Sequence, residues 1–249
     1  DQKRMLTTFF DESAMDYRLA SQLKDLKDLQ NSDGSWSWWR GMRGSASITA
    51  QVLQTLARLN VMAGYQKATA KMIENGMDYL RTVVMKEFEE MKRMEKKGQK
   101  PMICDYHAIQ YLYINTLLGK NPFYDSDYVE LKNYLLKYLE ADRHRDIYSK
   151  ALMAVVLNGD GKAKKAKEYV ESIRQYTVTK PGMGTYFDTW HAGYSWFDYR
   201  IPTQTAAIEA LKAVDPADTE TINQMRLWLL QSKRTQAWNT PINTVNAVY

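Results

Sequence analysis

Cysteine and histidine are common zinc ligands, and the chain places one of each at a ligand-like spacing. Cys104 precedes His107 by three positions. A zinc site needs three or four ligands, and the remaining histidines, His144 and His191, have no ligand-like neighbours. The simpler interpretation is a cysteine on a helix face beside a histidine that touches solvent. We therefore expect neither a metal nor any other cofactor.

Aromatic side chains near loop ends form a second candidate site, because such rings can line a groove for a sugar or a peptide. The rings are those of Trp36, Trp38, Trp39, Trp190, Tyr194, Trp196, Phe197 and Trp238. Packing between helices is the simpler role for Trp36 and Trp238, whereas both roles stay open for Trp39, Trp190 and Trp196. Two arginines follow Trp39 in a glycine-containing loop, where they could also simply be solvated. The predicted interaction surface consists of Trp39, Arg40, Arg43, Trp190 and Trp196.

The familiar catalytic motifs are missing from the sequence. No Gly-x-Ser-x-Gly segment occurs, and Ser195 lies between aromatic residues. There is also no glycine-rich phosphate loop. The lysine-rich runs at 96–97 and 162–167 are typical of solvated helix faces. We therefore predict that the chain is not an enzyme.

The composition indicates a globular chain with a large core. Apolar residues make up 45% of its 249 residues, and the aromatic load, including 17 Tyr and 7 Trp, favours a core in which rings pack together. The net charge of +5 comes from interspersed basic and acidic residues, a pattern that disfavours nucleic-acid binding. A single cysteine excludes an intrachain disulfide. Since the chain starts at Asp1 and stops inside an apolar run at Tyr249, we expect a fragment of a longer protein.

Helical periodicity dominates the sequence. Apolar side chains recur every three or four residues, as at Leu19, Leu23 and Leu26, and turn signals such as 158–161 separate the runs. The predicted helices span about 13–29, 48–60, 67–97, 105–118, 126–140, 142–157, 162–176, 202–214 and 217–231, with a last one starting near Thr240. These patterns predict an all-α fold of about ten helices. No domain-scale linker is evident, so we predict one domain over 1–249.

Residues 177–199 depart from the helical period. Pro181, Gly182, Gly184 and Gly193 lie among β-favouring residues such as those at 186–187 and 194–197. The pattern predicts a long loop or a short hairpin in this stretch.

A unit consisting of an aromatic turn, a threonine and a helical run occurs three times. The aromatic turns centre on Trp36, Trp196 and Trp238, and the threonines are Thr49, Thr205 and Thr244. Repetition of this kind is typical of helical arrays, in which one unit cannot bury its apolar face alone.

The first of these turns resembles a known motif. Gln30, Gly34 and Trp36 fit the Gln-x-x-x-Gly-x-Trp pattern of the α/α-toroid superfamily, which includes terpenoid cyclases, protein prenyltransferases and the thioester-containing domains of alpha-2-macroglobulins. In this pattern the glycine permits a tight turn, the glutamine can bond backbone groups at a helix end, and the tryptophan packs an outer helix onto an inner one. The resemblance implies an α/α toroid (terpenoid cyclase/prenyltransferase-like) and a motif that stabilises rather than catalyses.

The chain is also similar to bacterial alpha-2-macroglobulin-like proteins of the Bacteroides type. Three stretches carry this similarity in the family's order: 10–42 with the first tryptophan cluster, 193–210 with Gly193-Tyr194-x-Trp196, and 228–249 with Gln236-x-Trp238. The resemblance implies the thioester-domain position of a large envelope protein that traps proteases. In the family, cleavage of a bait region triggers a rearrangement, and the thioester then captures the protease covalently.

The thioester motif itself, Cys-x-Glu-Gln, does not occur in this chain, because Cys104 is followed by Asp105-Tyr106-His107. Either the motif lies upstream of Asp1 in the parent protein, or the parent lacks it. We therefore expect a non-catalytic domain that contributes to protease inhibition, in the periplasm or at the cell surface, in a parent that is exported with or without a lipid anchor. The expected partners are neighbouring domains of the parent and a target protease, without nucleic acid or membrane contact.

Two alternatives stay open. The first is a toroid-class enzyme, such as a terpenoid cyclase or a polysaccharide lyase. Prenyltransferase-like zinc sites combine Asp, Cys and His, as Asp105 and its neighbours do, and Asp125-Ser126-Asp127 resembles a cyclase acid motif. However, Tyr128 stands where that motif needs another acid, and a helix N-cap explains Asp125 and Ser126 more simply. The second alternative is a glycan- or peptide-binding module that uses the aromatic loops.

Overall fold

A computed structural model describes residues 12–101, 105–119, 124–141, 145–192 and 200–235. These residues are mostly helical, with one two-stranded sheet, so the all-α prediction is confirmed for them. The chain divides into two compact units, Asp1–Lys86 and Glu87–Tyr249. The single-domain assignment over 1–249 stays a prediction.

The first unit contains helices α1 (Glu12–Asp28) and α2 (Ala46–Ala63) and the start of α3 (Gln66–Lys96), which continues into the second unit. Helix α2 begins where the side chain of Ser45 accepts a hydrogen bond from the backbone N–H of Ile48. It ends at Gly64, whose φ of 71° allows its N–H to reach the carbonyl of Asn60. Both ends of α2 are therefore set by their local sequence.

Burial differs between the helices of the first unit. Most side chains of α2 are buried or half-buried, including Leu53, Leu56 and Ala57. By contrast, α3 buries one stripe through Met72 and Met77, and most described side chains of α1 are exposed. The core of this unit therefore lies around α2.

The second unit contains six further helices and the hairpin. Their bounds are α4 (Asp105–Leu118), α5 (Ser126–Ala141), α6 (Ile147–Gly159), α7 (Ala163–Arg174), β1 (Thr177–Lys180), β2 (Gly184–Phe187), a 3₁₀ turn (Trp190–Ala192), α8 (Arg200–Val214) and α9 (Thr219–Thr235). The nine described helices agree with the nine predicted runs, and the tenth prediction, near Thr240, lies outside the described residues.

Buried and half-exposed helices alternate along the second unit. Side chains are continuously buried over 108–115 in α4 and 147–157 in α6, and α8 is buried from 201 to 211 except at Glu209. The intervening helices α5, α7 and α9 bury single stripes, as at Ala166, Val170 and Ile173 of α7. Helix α6 packs against α4, α7 and α8. The core of this unit therefore surrounds α6.

The hairpin explains why residues 177–187 break the helical period. Strands β1 and β2 pair antiparallel, with Thr177 opposite Phe187 and Lys180 opposite Gly184. Strand β2 is fully buried and packs against α9, whereas β1 is mostly exposed. The predicted short hairpin is confirmed, and its strands lie at 177–180 and 184–187. The other β-favouring stretch, 194–197, lies outside the described residues.

Candidate functional site

The predicted Gln-x-x-x-Gly-x-Trp motif forms a junction between all three helices of the first unit. The side-chain amide of Gln30 donates to the carbonyl of Gly34 at 2.9 Å and to the carbonyl of Met72, in α3, at 3.0 Å. The indole Nε1 of Trp36 donates to the carbonyl of Leu26, in α1, at 3.0 Å. We call Gln30, Gly34 and Trp36 the Gln30 junction.

Trp36 is the centre of this junction. Its side chain is only 2% exposed, so the predicted packing role is confirmed. Its backbone N–H donates to Oγ1 of Thr49 at 2.9 Å, which ties the turn to the first turn of α2. Thr49, the threonine of the repeated sequence unit, therefore fixes the position of the Trp36 turn relative to α2.

The backbone of α3 approaches Gly34 so closely that no side chain fits there. Gly34 has a φ of 86°, and a Cβ there would overlap the carbonyl of Asn75 in α3. Likewise, a Cβ on Gly76 would lie 2.9 Å from the Trp36 ring and from the side chain of Leu53. Only glycine lets the turn and the helices meet this closely.

A second junction of the same kind occurs in the second unit, and the sequence pattern did not predict it. The amide of Gln204, in α8, donates to the carbonyl of Thr185 in β2 at 2.8 Å and to the carbonyl of Met225 in α9 at 3.1 Å. Gly184 has a φ of 86°, and a Cβ there would overlap the carbonyl of Gln224. We call Gln204 and Gly184 the Gln204 junction. Its glutamine follows the glycine in sequence, so the motif pattern could not reveal it.

The predicted interaction surface is described only in part. In the first unit, Trp39 is 70% exposed and Arg40 and Arg43 are exposed. The ring of Trp39 lies 6.4 Å from that of Trp38, centroid to centroid. In the second unit Trp190 is 81% exposed. Trp196 lies outside the described residues, and whether these side chains act together stays a prediction.

An aromatic cavity of about 680 Å³ lies beside Trp190 in the second unit. Its apolar lining includes Met183, Phe187 and the rings of Tyr186 and Trp228, which stack at 5.6 Å with an interplanar angle of 10°. Its polar lining includes Lys180, Asp188, Thr189, Arg200, Gln231 and Ser232. Its volume is within the range of roughly 300–1,000 Å³ that is typical of small-molecule sites.

The exposed indole of Trp190 has other aromatic rings as neighbours. The ring of Trp190 lies 3.7 Å from that of His191, and His191 lies 5.2 Å from Tyr176, centroid to centroid. The Nζ atom of Lys150, a buried residue, is 5.1 Å from the Tyr176 ring centroid and donates to Ser172 at 3.1 Å. Burial lowers the pKa of Lys150. Trp190, His191 and Tyr176 therefore form a row of neighbouring rings, with Lys150 beside the last of them.

Basic and acidic side chains both occur among the described residues of the cavity lining. Lys180 and Arg200 are basic, and Asp188 is acidic. The Nζ atom of Lys180 lies 5.5 Å from the Tyr186 ring centroid and 3.7 Å from the carboxylate of Asp188. The side-chain hydrogen bond with Tyr186 is the main reason that the pKa of Lys180 is raised. Lys180 therefore already interacts with both Tyr186 and Asp188.

The Cys104-x-x-His107 pair is described only at the histidine, because Cys104 lies outside the described residues. Nδ1 of His107 lies 3.4 Å from Oε1 of Glu87, and its ring contacts that of Tyr106. The described residues hold no group of three or more His, Cys, Asp or Glu side chains placed to share a metal ion.

The Asp125-Ser126-Asp127 segment forms a helix cap. Oδ1 of Asp125 accepts a hydrogen bond from the backbone N–H of Tyr128 at 2.9 Å. Ser126 is the first residue of α5. Of the two capping residues predicted from the sequence, Asp125 and Ser126, the one whose side chain caps the helix is therefore Asp125. Tyr128 itself is buried against Tyr111 and Tyr124. The acidic segment therefore positions the start of α5.

Comparison with known proteins gives no further support for a family. No protein-family model matches the chain, and none of the curated proteins matches it.

Within the described residues, every helix is too short or too polar to span a bilayer.

Proposed function

We propose that the chain is a non-catalytic α/α-toroid domain of an exported alpha-2-macroglobulin-like protein, in which it contributes to trapping proteases. Its partners are then neighbouring domains of the parent protein and the protease itself, at the cell envelope. The observation that carries this proposal is the Gln30 junction. The Gln-x-x-x-Gly-x-Trp motif, on which the resemblance to the toroid superfamily rests, connects helices through hydrogen bonds to backbone carbonyls.

The alternation of buried and half-exposed helices supports the toroid part of the proposal. In a toroid, inner helices are surrounded by protein while outer helices expose one face. Within the second unit, α4, α6 and α8 have the burial of inner helices, and α5, α7 and α9 have that of outer helices. Within the first unit, α2 and α3 differ in the same way. The Gln204 junction adds a second fastening of an inner helix to an outer one.

A mechanical role follows from what such junctions do. Each joins helices to a neighbouring turn or strand through backbone carbonyls, which restricts their arrangement. Helices fastened in this way can transmit a rearrangement started by bait cleavage without changing their own fold. Because the chain lacks the thioester motif, no covalent step is assigned to its residues.

The experiment that tests the proposal is a substrate-size assay on the parent protein that contains this chain. The parent is mixed with thermolysin, and hydrolysis of azocasein is compared with hydrolysis of a short chromogenic peptide. A trapped protease loses access to the large substrate and keeps access to the small one. We expect azocasein hydrolysis to fall several-fold while peptide hydrolysis persists.

Two variants of the parent complete this test. Gly34→Ala, which disturbs the Gln30 junction, should reduce the protection, whereas Gly41→Ala, at a glycine with open space around it, should retain it. Unchanged azocasein hydrolysis with the wild-type parent, or equal losses on both substrates, would contradict the proposal.

A further inference from the structure

We propose that the loop over residues 37–44 is a docking site for an acidic segment of a partner protein, one in which carboxylates alternate with apolar side chains. We call residues 37–44 the Trp39 loop. The inference uses only residues of the first unit and does not depend on the proposed function. An acidic segment can bind here whether or not the parent protein traps proteases.

The first support is a cluster of exposed apolar side chains. Trp38, Trp39 and Met42 are 59%, 70% and 51% exposed, and every residue from 38 to 43 is exposed. Single apolar side chains are common on protein surfaces, whereas clustered ones mark interaction sites. Aromatic residues, methionine and arginine are also enriched at protein–protein interfaces. The composition of the Trp39 loop is therefore that of an interface.

The second support is the fixed backbone of the loop. The N–H of Ser45 donates to the carbonyl of Trp36 at 2.9 Å and closes the base. Within the loop, the carbonyl of Trp39 accepts from the N–H of Met42 at 3.1 Å and from Oγ of Ser37 at 2.8 Å. Because the base is attached to the buried Trp36, the rings project from an ordered backbone. Less conformational entropy is then lost when a partner binds.

The third support is charge. Arg40 and Arg43 are exposed, and neither forms an ion pair or a hydrogen bond with another residue in the part of the chain that the structure describes. The sequence from 34 to 73 contains no Asp or Glu. Guanidinium groups bind carboxylates through paired hydrogen bonds. Carboxylates on the partner therefore complement the two arginines, while its apolar side chains cover the indoles.

Asp33 favours a peptide over an anionic bilayer as the partner. A Cβ on Gly44 would lie 3.5 Å from the hydroxyl of Tyr79, so this tyrosine lies at the base of the loop. Burial is the main reason that the pKa of Tyr79 is raised; the exposed Asp33 adds to the rise, and Arg43 opposes it. An acid therefore lies near Arg43. A bilayer with negative charge throughout its surface would repel that acid, whereas a peptide can place its carboxylates opposite the arginines alone.

The test is isothermal titration calorimetry on the 249-residue chain with three blocked peptides. The acidic probe is acetyl-Asp-Leu-Asp-Phe-Asp-amide. Its neutral counterpart has Asn at each Asp, and its polar counterpart has Ser in place of Leu and Phe. We expect saturable binding of the acidic probe and several-fold weaker binding of both counterparts. Raising the salt concentration should reduce the difference between the acidic and neutral probes, since salt screens the attraction between charges.

Substitutions assign the binding to the loop. Trp39→Ala should raise the Kd for the acidic probe about tenfold, the loss typical of a central aromatic contact. Arg40→Gln combined with Arg43→Gln should remove the preference for the acidic over the neutral probe. Trp190→Ala and Arg226→Gln, at exposed residues of the second unit, should leave binding unchanged. Because all these side chains are exposed, each variant should keep the far-UV circular dichroism and urea midpoint of the wild type.

The proposal is wrong if the acidic probe does not bind saturably, or if the acidic and neutral probes bind equally. Binding that Trp39→Ala leaves unchanged, or that Trp190→Ala weakens equally, would also overturn it. Vesicles of phosphatidylglycerol and phosphatidylcholine in equal parts test the bilayer alternative by sedimentation. Sedimentation that requires Trp39, without binding of the acidic probe, would identify a bilayer contact and refute the assignment to an acidic segment.

Discussion

Replacing Gly34 by alanine should destabilise the chain through two separable effects. The first is the backbone, because a φ of 86° lies in the left-handed region, where a non-glycine residue costs about 1–2 kcal/mol. The second is the overlap between the new Cβ and the carbonyl of Asn75. Overpacking of this kind costs about 1–3 kcal/mol. The free energy of unfolding should therefore fall by about 2–5 kcal/mol.

Gly41 supplies the matched control for this prediction. Its φ of 83° is nearly the same, but a Cβ there meets nothing within 4 Å. Gly41→Ala should therefore lose only the backbone contribution, about 1–2 kcal/mol. The difference between the two variants isolates the cost of the close approach to α3, because the conformational cost is common to both.

The assay is equilibrium unfolding in urea, followed by far-UV circular dichroism and tryptophan fluorescence. Midpoints should decrease in the order wild type, Gly41→Ala, Gly34→Ala, with similar m-values for the three. Gly184→Ala and Gly182→Ala repeat the comparison in the second unit, where only the former glycine meets a backbone carbonyl. If Gly34→Ala and Gly41→Ala unfold within about 0.5 kcal/mol of one another, the close approach is not a constraint and the reasoning fails.

Three further predictions concern single side chains. Trp36→Phe removes the hydrogen bond to Leu26 and some buried volume. The free energy of unfolding in urea should therefore fall by about 1–3 kcal/mol, whereas Trp38→Phe, at an exposed ring, should change it little. Gln204→Met keeps the shape of a 1% exposed side chain but removes its donors to Thr185 and Met225. The free energy of unfolding should fall by about 1–3 kcal/mol, and almost not at all for Gln175→Met at an exposed position. Burial alone would raise the pKa of Asp218, but hydrogen bonds from Thr221 and Arg174 outweigh it and lower the pKa below the ordinary 3.8; the ionised carboxylate therefore stabilises the fold above about pH 4, and this contribution is lost as the pH falls through the lowered pKa. Asp218→Asn should thus lower Tm at pH 7, with a difference that shrinks in acid; a difference that stays constant down to pH 2.5 would contradict the assignment.

Helix positions could be predicted because their signals are local. The stripe of Leu19, Leu23 and Leu26 and the turn at 158–161 depend on neighbouring residues alone, and α1 and α6 follow them. The packing of Trp36 could also be predicted, since its motif is contiguous. The all-α class then follows from the absence of alternating strand and helix patterns.

The parts that sequence could not supply are those made by distant residues. Gln204 reaches Thr185 and Met225 across 19 and 21 positions, and no spacing rule connects them. The cavity likewise combines the hairpin, the 3₁₀ turn, α8 and α9. The sequence singled out Trp190 as a candidate interaction residue, but its proximity to His191 and, through His191, to Tyr176 and Lys150 depends on tertiary structure.

The eleven consecutive buried residues of α6, Ile147 to Leu157, have a practical consequence. Their amides should exchange with deuterium only when the second unit opens globally, because no surface fluctuation exposes them. A peptide covering this stretch would therefore report, in mass spectrometry, the opening free energy of the whole unit. The exchange rate of this peptide therefore provides a label-free measure of how ligand binding or an amino-acid substitution changes the stability of the unit.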